Sequence, residues 1–228
     1  MDKLINDIVK CSIEENNISD IVNDTINDTI NDATIWLIDI INNQKEKEKQ
    51  ANIWNDSPYK IINNLKSNNV GNVGEKLIQK ICVESNINSS IDGSKTKKIG
   101  GSKIGDGKIN NKSVEVKTAQ LSADKKTFQH EIGRSPWKAE YMMFIDISPT
   151  DIYITIFKNF TEEHYNTGAK AKPYFPTKHL YQREEGKGNY KLDTTININI
   201  ESIKNGFAIK IKSNNFKEIR EFINRSII

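Results

Sequence analysis

Asp106, Glu115 and Lys117 stand close together in the stretch SKIGDGKINNKSVEVKTAQ, Ser102 to Gln120. In SVEVKTA the alternation is strict, so Val114 and Val116 share one face of a strand, and Glu115 and Lys117 share the other. Asn110-Asn111-Lys112 is a tight-turn sequence, and Gly105 and Gly107 flank Asp106 where the preceding strand must bend or bulge. A hairpin of this kind carries Asp106 back within reach of Glu115. Two carboxylates brought together repel unless a cation lies between them, and hard oxygen ligands select Mg²⁺, which keeps several of its waters. A metal-bound water is acidic enough to attack phosphorus, while a lysine offsets charge on the phosphate oxygens. The plain alternative is three solvated charges on an ordinary amphipathic hairpin.

Composition bounds what can surround these residues. The chain has 228 residues, enough for one domain or for one domain with a helical appendage. Its hydrophobic content of 36% and mean hydropathy of −0.62 are low without implying disorder. The longest apolar run, Ile35 to Asn42, is too short to span a bilayer and contains Asp39. MDKLINDIVK lacks the pattern of a signal peptide, and Cys11 and Cys82 are too far apart for a CxxC metal site or a disulfide framework. A soluble cytoplasmic protein with no membrane partner is expected.

Charge is unevenly placed. The net charge is +3, but residues 1–65 hold six Lys against twelve acids, a net of −6. Residues 66–228 therefore carry 27 basic and 18 acidic groups, a net of +9. Either the basic body meets a polyanion or it has a Lys-rich solvated surface.

The positioning elements can be read from periodicity. Residues 1–65 form an N-terminal helical region with Ile18, Val22, Ile26, Ile30, Leu37 and Ile41 along one stripe, a cap on the core or a dimer surface. Lys45–Gln50 reads as a solvated helix end or linker, and Pro58 punctuates the chain. NNVGNVGEKLIQKICVESN predicts a helix of about three turns. Strands are expected around Lys97–Ile99, at Ser102–Asn110 and Ser113–Thr118, and in YMMFIDIS and DIYITIFK, which turn at Pro149-Thr150. TTININIESI and GFAIKIKS read as a further strand pair, and NFKEIREFINRSII as a closing amphipathic helix. The fold class is α/β (α+β), a central mixed β-sheet flanked by helices, with the core domain over 66–228.

Asp106 followed by Glu115-Val116-Lys117 resembles the D…(D/E)xK signature of the PD-(D/E)XK nuclease superfamily, in particular its type II restriction endonucleases. Members hold the Asp on one strand of a bent hairpin and the ExK on the next, after a helix that often supplies a glutamate. GNVGEKLIQKI fits that helix, and Glu75 is the matching acid. The resemblance spans roughly Asn72 to Lys158; Gly105 rather than Pro precedes Asp106, and Lys117 to Tyr141 is short for a connecting helix. It implies a restriction-endonuclease-like core in which Asp106 and Glu115 bind Mg²⁺, Lys117 orients or activates the attacking water and stabilises the phosphate, and Glu75 assists. It further implies double-stranded DNA as substrate, 5′-phosphate products and a homodimer.

The segment after the ExK strand should emerge beside the site, where family members contact DNA. Lys103, Gln120, Lys125, Lys126, Gln129, His130, Arg134 and Lys138 are the candidate contacts, with Trp137 an anchor. His130, His164 and His179 form no HNH or HxxxH spacing. Basic and aromatic residues interleave between Thr167 and Lys191, which suits either a groove-embracing loop or a flexible surface loop. GGSKIGDG matches neither a Walker A nor a GxGxxG pattern. A repair nuclease or junction resolvase on the same core, and a non-catalytic DNA-binding module, are the competing expectations.

Overall fold

The computed structural model describes residues 34–47, 52–91, 104–124, 126–165, 180–182, 189–212 and 215–228. The chain divides into two compact units, Met1–Asn52 and Ile53–Ile228. In the first, residues 34–47 form a helix, α1, whose Ile35, Trp36, Leu37, Ile38, Ile40 and Ile41 are exposed. Ile18, Val22, Ile26 and Ile30 of the expected stripe lie outside the described residues, as do Lys97–Ile99. The second unit begins earlier than the boundary at 65 expected from composition. Trp54 and Ile62 are buried in its core, the Trp54 indole donates to Leu121 O at 3.1 Å, and Ser57 Oγ donates to Pro149 O at 2.7 Å.

The second unit is built on a six-stranded mixed sheet. Helix α2 (Ser67–Glu84) precedes an antiparallel meander of β1 (Ser89–Ile91), β2 (Gly107–Ile109) and β3 (Lys112–Gln120). β3 then pairs in parallel with β5 (Tyr141–Ile147), which continues antiparallel through β6 (Ile152–Lys158) to β9 (Ala208–Ile211). A parallel pair requires a crossover, and β4 (Phe128–Arg134) lies within it. Together with β8 (Asn189–Thr194) and β7 (Leu180–Gln182), β4 forms a second sheet in the order β4-β8-β7.

All seven residues of β5 are buried, because each of its faces meets a core. Met143 and Ile145 join Ile78 of α2 and Phe222 of α4 (Phe216–Ser226) in one core, while Met142 and Phe144 join Ile132 of β4 and Leu192 of β8 in the other. The main sheet is thus flanked by helices on one side and overlaid by the small sheet on the other. Among the described residues no helix is long and apolar enough to cross a membrane.

Four elements differ from the sequence-based expectations. ININIESIK is a helix, α3 (Ile196–Lys204), although Ile196, Ile198 and Ile200 alternate like a strand. Thr195 caps it, its Oγ accepting from Ile198 N at 3.3 Å, and Ile198 and Ser202, one turn apart, are both buried. The connection between β3 and β5 holds a strand, β4, rather than a clipped helix. Helix α2 runs for 18 residues, longer than three turns, with Val70, Gly74, Ile78 and Ile81 as its buried stripe. The expected strand from Ser102 is a strand only over Gly107–Ile109.

Glu140 ties the start of β3 to the start of β5. Ser113 N donates to its Oε2 at 3.1 Å, and Lys112 Nζ donates to Oε1 at 3.3 Å. The Ser113 amide holds the Glu140 carboxyl below the ordinary carboxylate range, outweighing burial and helped by Lys112. A folded-state pKa that is depressed contributes stability above the unfolded value, about 4.3, and that stability is lost as pH falls through the folded value. Thermal melts between about pH 3 and pH 6 should therefore show the wild type losing more stability on acidification than Glu140→Gln.

Candidate functional site

The hairpin of β2 and β3 turns through Asn110 and Asn111, both with positive φ (50° and 64°), as a two-residue turn matched to strand twist requires. β2 is only three residues long and pairs with Lys112 to Val114, so it does not cover the edge of β3 from Glu115 onward. At that point the chain turns away through Gly105, whose φ is +75°. A Cβ there would sit 2.4 Å from Val114 O.

This turn places Asp106 on the open edge. Asp106 N donates to Val114 O at 2.8 Å, and Val116 N donates to Asp106 Oδ2 at 2.8 Å. The two bonds bracket Glu115, so the aspartate is held against the Glu115–Lys117 segment by the backbone itself. Lys117 Nζ lies 2.5 Å from Glu115 Oε1, and both side chains are only about a quarter exposed, at 24% and 26%. The alternation predicted for β3 is present, with Val114 and Val116 buried in the core shared with α2.

A cavity of about 330 Å³ opens along this edge, walled by α2 on one side and β4 on the other. Glu75, Asp106, Lys117, Thr118 and His130 line it. Glu115 instead lines an adjacent cavity of about 310 Å³ with Arg134, Trp137, Lys138 and Met142. The Glu115–Lys117 pair therefore links two hollows. Gly74 makes the helix wall possible, because a Cβ there would lie 1.8 Å from Thr118 Oγ1.

Among the described residues no group of three His, Cys, Asp or Glu side chains could hold a metal ion unaided. Asp106 and Glu115 carry the two hard oxygen groups of the motif, Asp106 on one cavity with its Oδ2 at the Val116 amide and Glu115 on the other with its Oε1 at Lys117. In donor type, though not as a convergent pair, these carboxylates suit a hard cation such as Mg²⁺, which binds through one or two carboxylates and completes its octahedron with water and phosphate oxygens.

The other candidates divide by environment. Arg134 and Lys138 are exposed beside Glu115, and Lys126 is exposed with φ +53°. Gln120 Nε2 donates to Asn63 Oδ1 at 3.2 Å, while Gln129 donates to Asp193 at 3.1 Å and accepts from Lys191 at 2.8 Å. Lys103 and Lys125 lie outside the described residues. His130 departs from its expected role as a DNA contact, because its side chain is buried, with 1% exposure for the residue. Phe128, His130 and Ile132 alternate inward along β4, and the core takes the imidazole.

There it meets a residue the motif gives no hint of. His130 Nε2 lies 2.6 Å from Asp146 Oδ1, and Asp146 Oδ2 accepts from Thr194 Oγ1 and Asn199 Nδ2, each at 2.7 Å. Burial, and then the charge of Asp146, push the Tyr165 hydroxyl well above its ordinary value. A lone acid in the apolar strand YMMFIDI was the available signal, since a buried carboxylate must be paired.

Gly105→Ala should show how strictly the turn is required. The left-handed φ and the backbone clash together cost roughly 1–3 kcal/mol and move Asp106 off the Val116 amide. A melting temperature below that of Gly133→Ala is the expected pattern, because Gly133 shares the left-handed φ, at +72°, but has nothing within 4 Å of its Cβ position, so its variant bears the backbone strain without the clash.

No family model, no curated protein and no solved structure matches the chain.

Proposed function

We propose that the protein is a Mg²⁺-dependent DNA endonuclease of PD-(D/E)XK type, acting as a type II restriction enzyme. The observation that carries the reading is the bond from Val116 N to Asp106 Oδ2, which holds one acid beside the Glu-x-Lys strand. Supporting it are the helix with Glu75 on the same cavity, the antiparallel meander followed by a parallel strand, and the net +9 of residues 66–228. The strand in the β3–β5 connection is a departure from the core that the resemblance implies, but it leaves the hairpin intact.

In this reading Asp106 and Glu115 hold the cation, which when bound acidifies water and offsets charge on the phosphate. Lys117 presents its ammonium to a non-bridging phosphate oxygen as charge develops there. Glu75 orients groups within the cavity. Arg134 and Lys138, exposed beside Glu115, neutralise neighbouring phosphates. Cutting both strands at a fixed site calls for two copies related by a twofold axis.

A panel of plasmid and phage DNAs incubated with the protein and Mg²⁺, then separated on a gel, tests the proposal. Discrete bands support it. Cleavage of branched or damaged DNA alone indicates a structure-directed nuclease on the same core, and unchanged DNA indicates a binding module.

A further inference from the structure

The cavity beside Asp106 carries polar atoms that the hairpin motif does not use. Thr118 Oγ1 and His130 Nδ1 are both buried without a hydrogen-bond partner, and both residues line it. A buried donor or acceptor left unmade costs roughly 1–3 kcal/mol, so two on one cavity call for an occupant that can bond to them. The His130 ring is fixed on its far side. Nε2 lies 2.6 Å from Asp146 Oδ1, the second oxygen of that carboxylate accepts from Thr194 and Asn199, and the ring packs edge-on against Phe144 at 5.1 Å. In the neutral tautomer that donates Nε2–H to this carboxylate, Nδ1 carries a lone pair. Lys117 Nζ is paired with Glu115 Oε1 at 2.5 Å.

We infer that His130 is the proton acceptor of the site, oriented by Asp146, and that Thr118 helps to seat the attacking water. This rests on the nuclease reading. One proton of the water passes to Nδ1 as its oxygen forms the new bond to phosphorus. The bond from phosphorus to the 3′-oxygen breaks, that oxygen takes a proton from solvent, and the imidazolium returns its proton to solvent. The Asp146 carboxylate stabilises the imidazolium, as a fixed charge behind a histidine does. The other ionisable groups on the cavity are Glu75, Asp106, Lys117 and Glu131, and Glu131 is paired with Lys191 at 2.9 Å.

The test is the pH profile of kcat for the full chain with Mg²⁺ and a cleaved duplex, for wild type, His130→Gln and Thr118→Val. His130→Gln should lose about 10²–10⁴-fold in kcat and lack the acid limb that wild type shows. Thr118→Val should lose about tenfold without changing that limb. A His130→Gln protein that cuts at the wild-type rate overturns the inference and leaves the nuclease reading standing. A wild-type chain that cuts no DNA overturns both. Should His130→Gln fail to fold, ¹⁵N NMR of the wild-type imidazole at pH 8 decides. Hydrogen on Nε2 with a bare Nδ1 supports the assignment, and hydrogen on Nδ1 alone overturns it.

Discussion

Lys117→Ala is expected to lower the rate of DNA cleavage by about 10²–10³-fold while leaving DNA affinity within a few-fold of wild type. The ammonium sits 2.5 Å from Glu115, on the strand edge that Asp106 also reaches. Its charge matters most where negative charge develops, which is at the phosphate in the transition state rather than along the bound duplex. Asp106→Ala should be at least as severe, because it removes one of two candidate metal ligands and also the acceptor of the Val116 amide. Gel shifts in Ca²⁺ separate binding from cutting. Equal losses of binding and cleavage would mean that these residues are ordinary surface charges.

The largest stability effect should come from Asp146→Ala. The carboxylate is 2% exposed and accepts three bonds, from His130 on β4, Thr194 on β8 and Asn199 on α3. It therefore ties two of the small sheet's three strands, β4 and β8, and helix α3 to the central strand β5. Removing it leaves three polar side chains unpaired in the interior, at a cost of about 3–5 kcal/mol. For a chain of this size that corresponds to a fall in melting temperature on the order of 10 °C. Asp146→Asn keeps an oxygen for Thr194 and should lose much less. Calorimetric melts of the two variants give the comparison, and equal losses would show that the charge rather than the bonding network is what the site requires.

The hairpin was legible because each of its devices is local. Valine alternation sets the faces of β3, two asparagines tolerate positive φ, and Gly105 accommodates the turn that puts Asp106 on the edge. The β5–β6 hairpin was equally readable from its apolar runs and Pro149-Thr150. By contrast, α3 resembles a strand in sequence because Ile196, Ile198 and Ile200 mimic period two, while the cap at Thr195 and the burial of Ile198 and Asn199 decide for a helix. β4 carried a usable signal in Phe128, His130 and Ile132, obscured by the charges between them. The Asp146 network was beyond local reading, since its partners come from 16, 48 and 53 residues away. Long-range pairing of this kind is a property of the folded sheet stack and leaves only an isolated acid in an apolar strand as its trace.

In the proposed reading Asp106, Glu115 and Lys117 form a metal-dependent centre for cutting DNA. End-labelled duplex incubated with the purified protein in Mg²⁺, in EDTA, and in Mg²⁺ with Glu115→Gln tests it directly. Fragments with 5′-phosphate ends in the first reaction alone are the predicted result; intact DNA in all three, or cleavage that persists in EDTA or with Glu115→Gln, would contradict it.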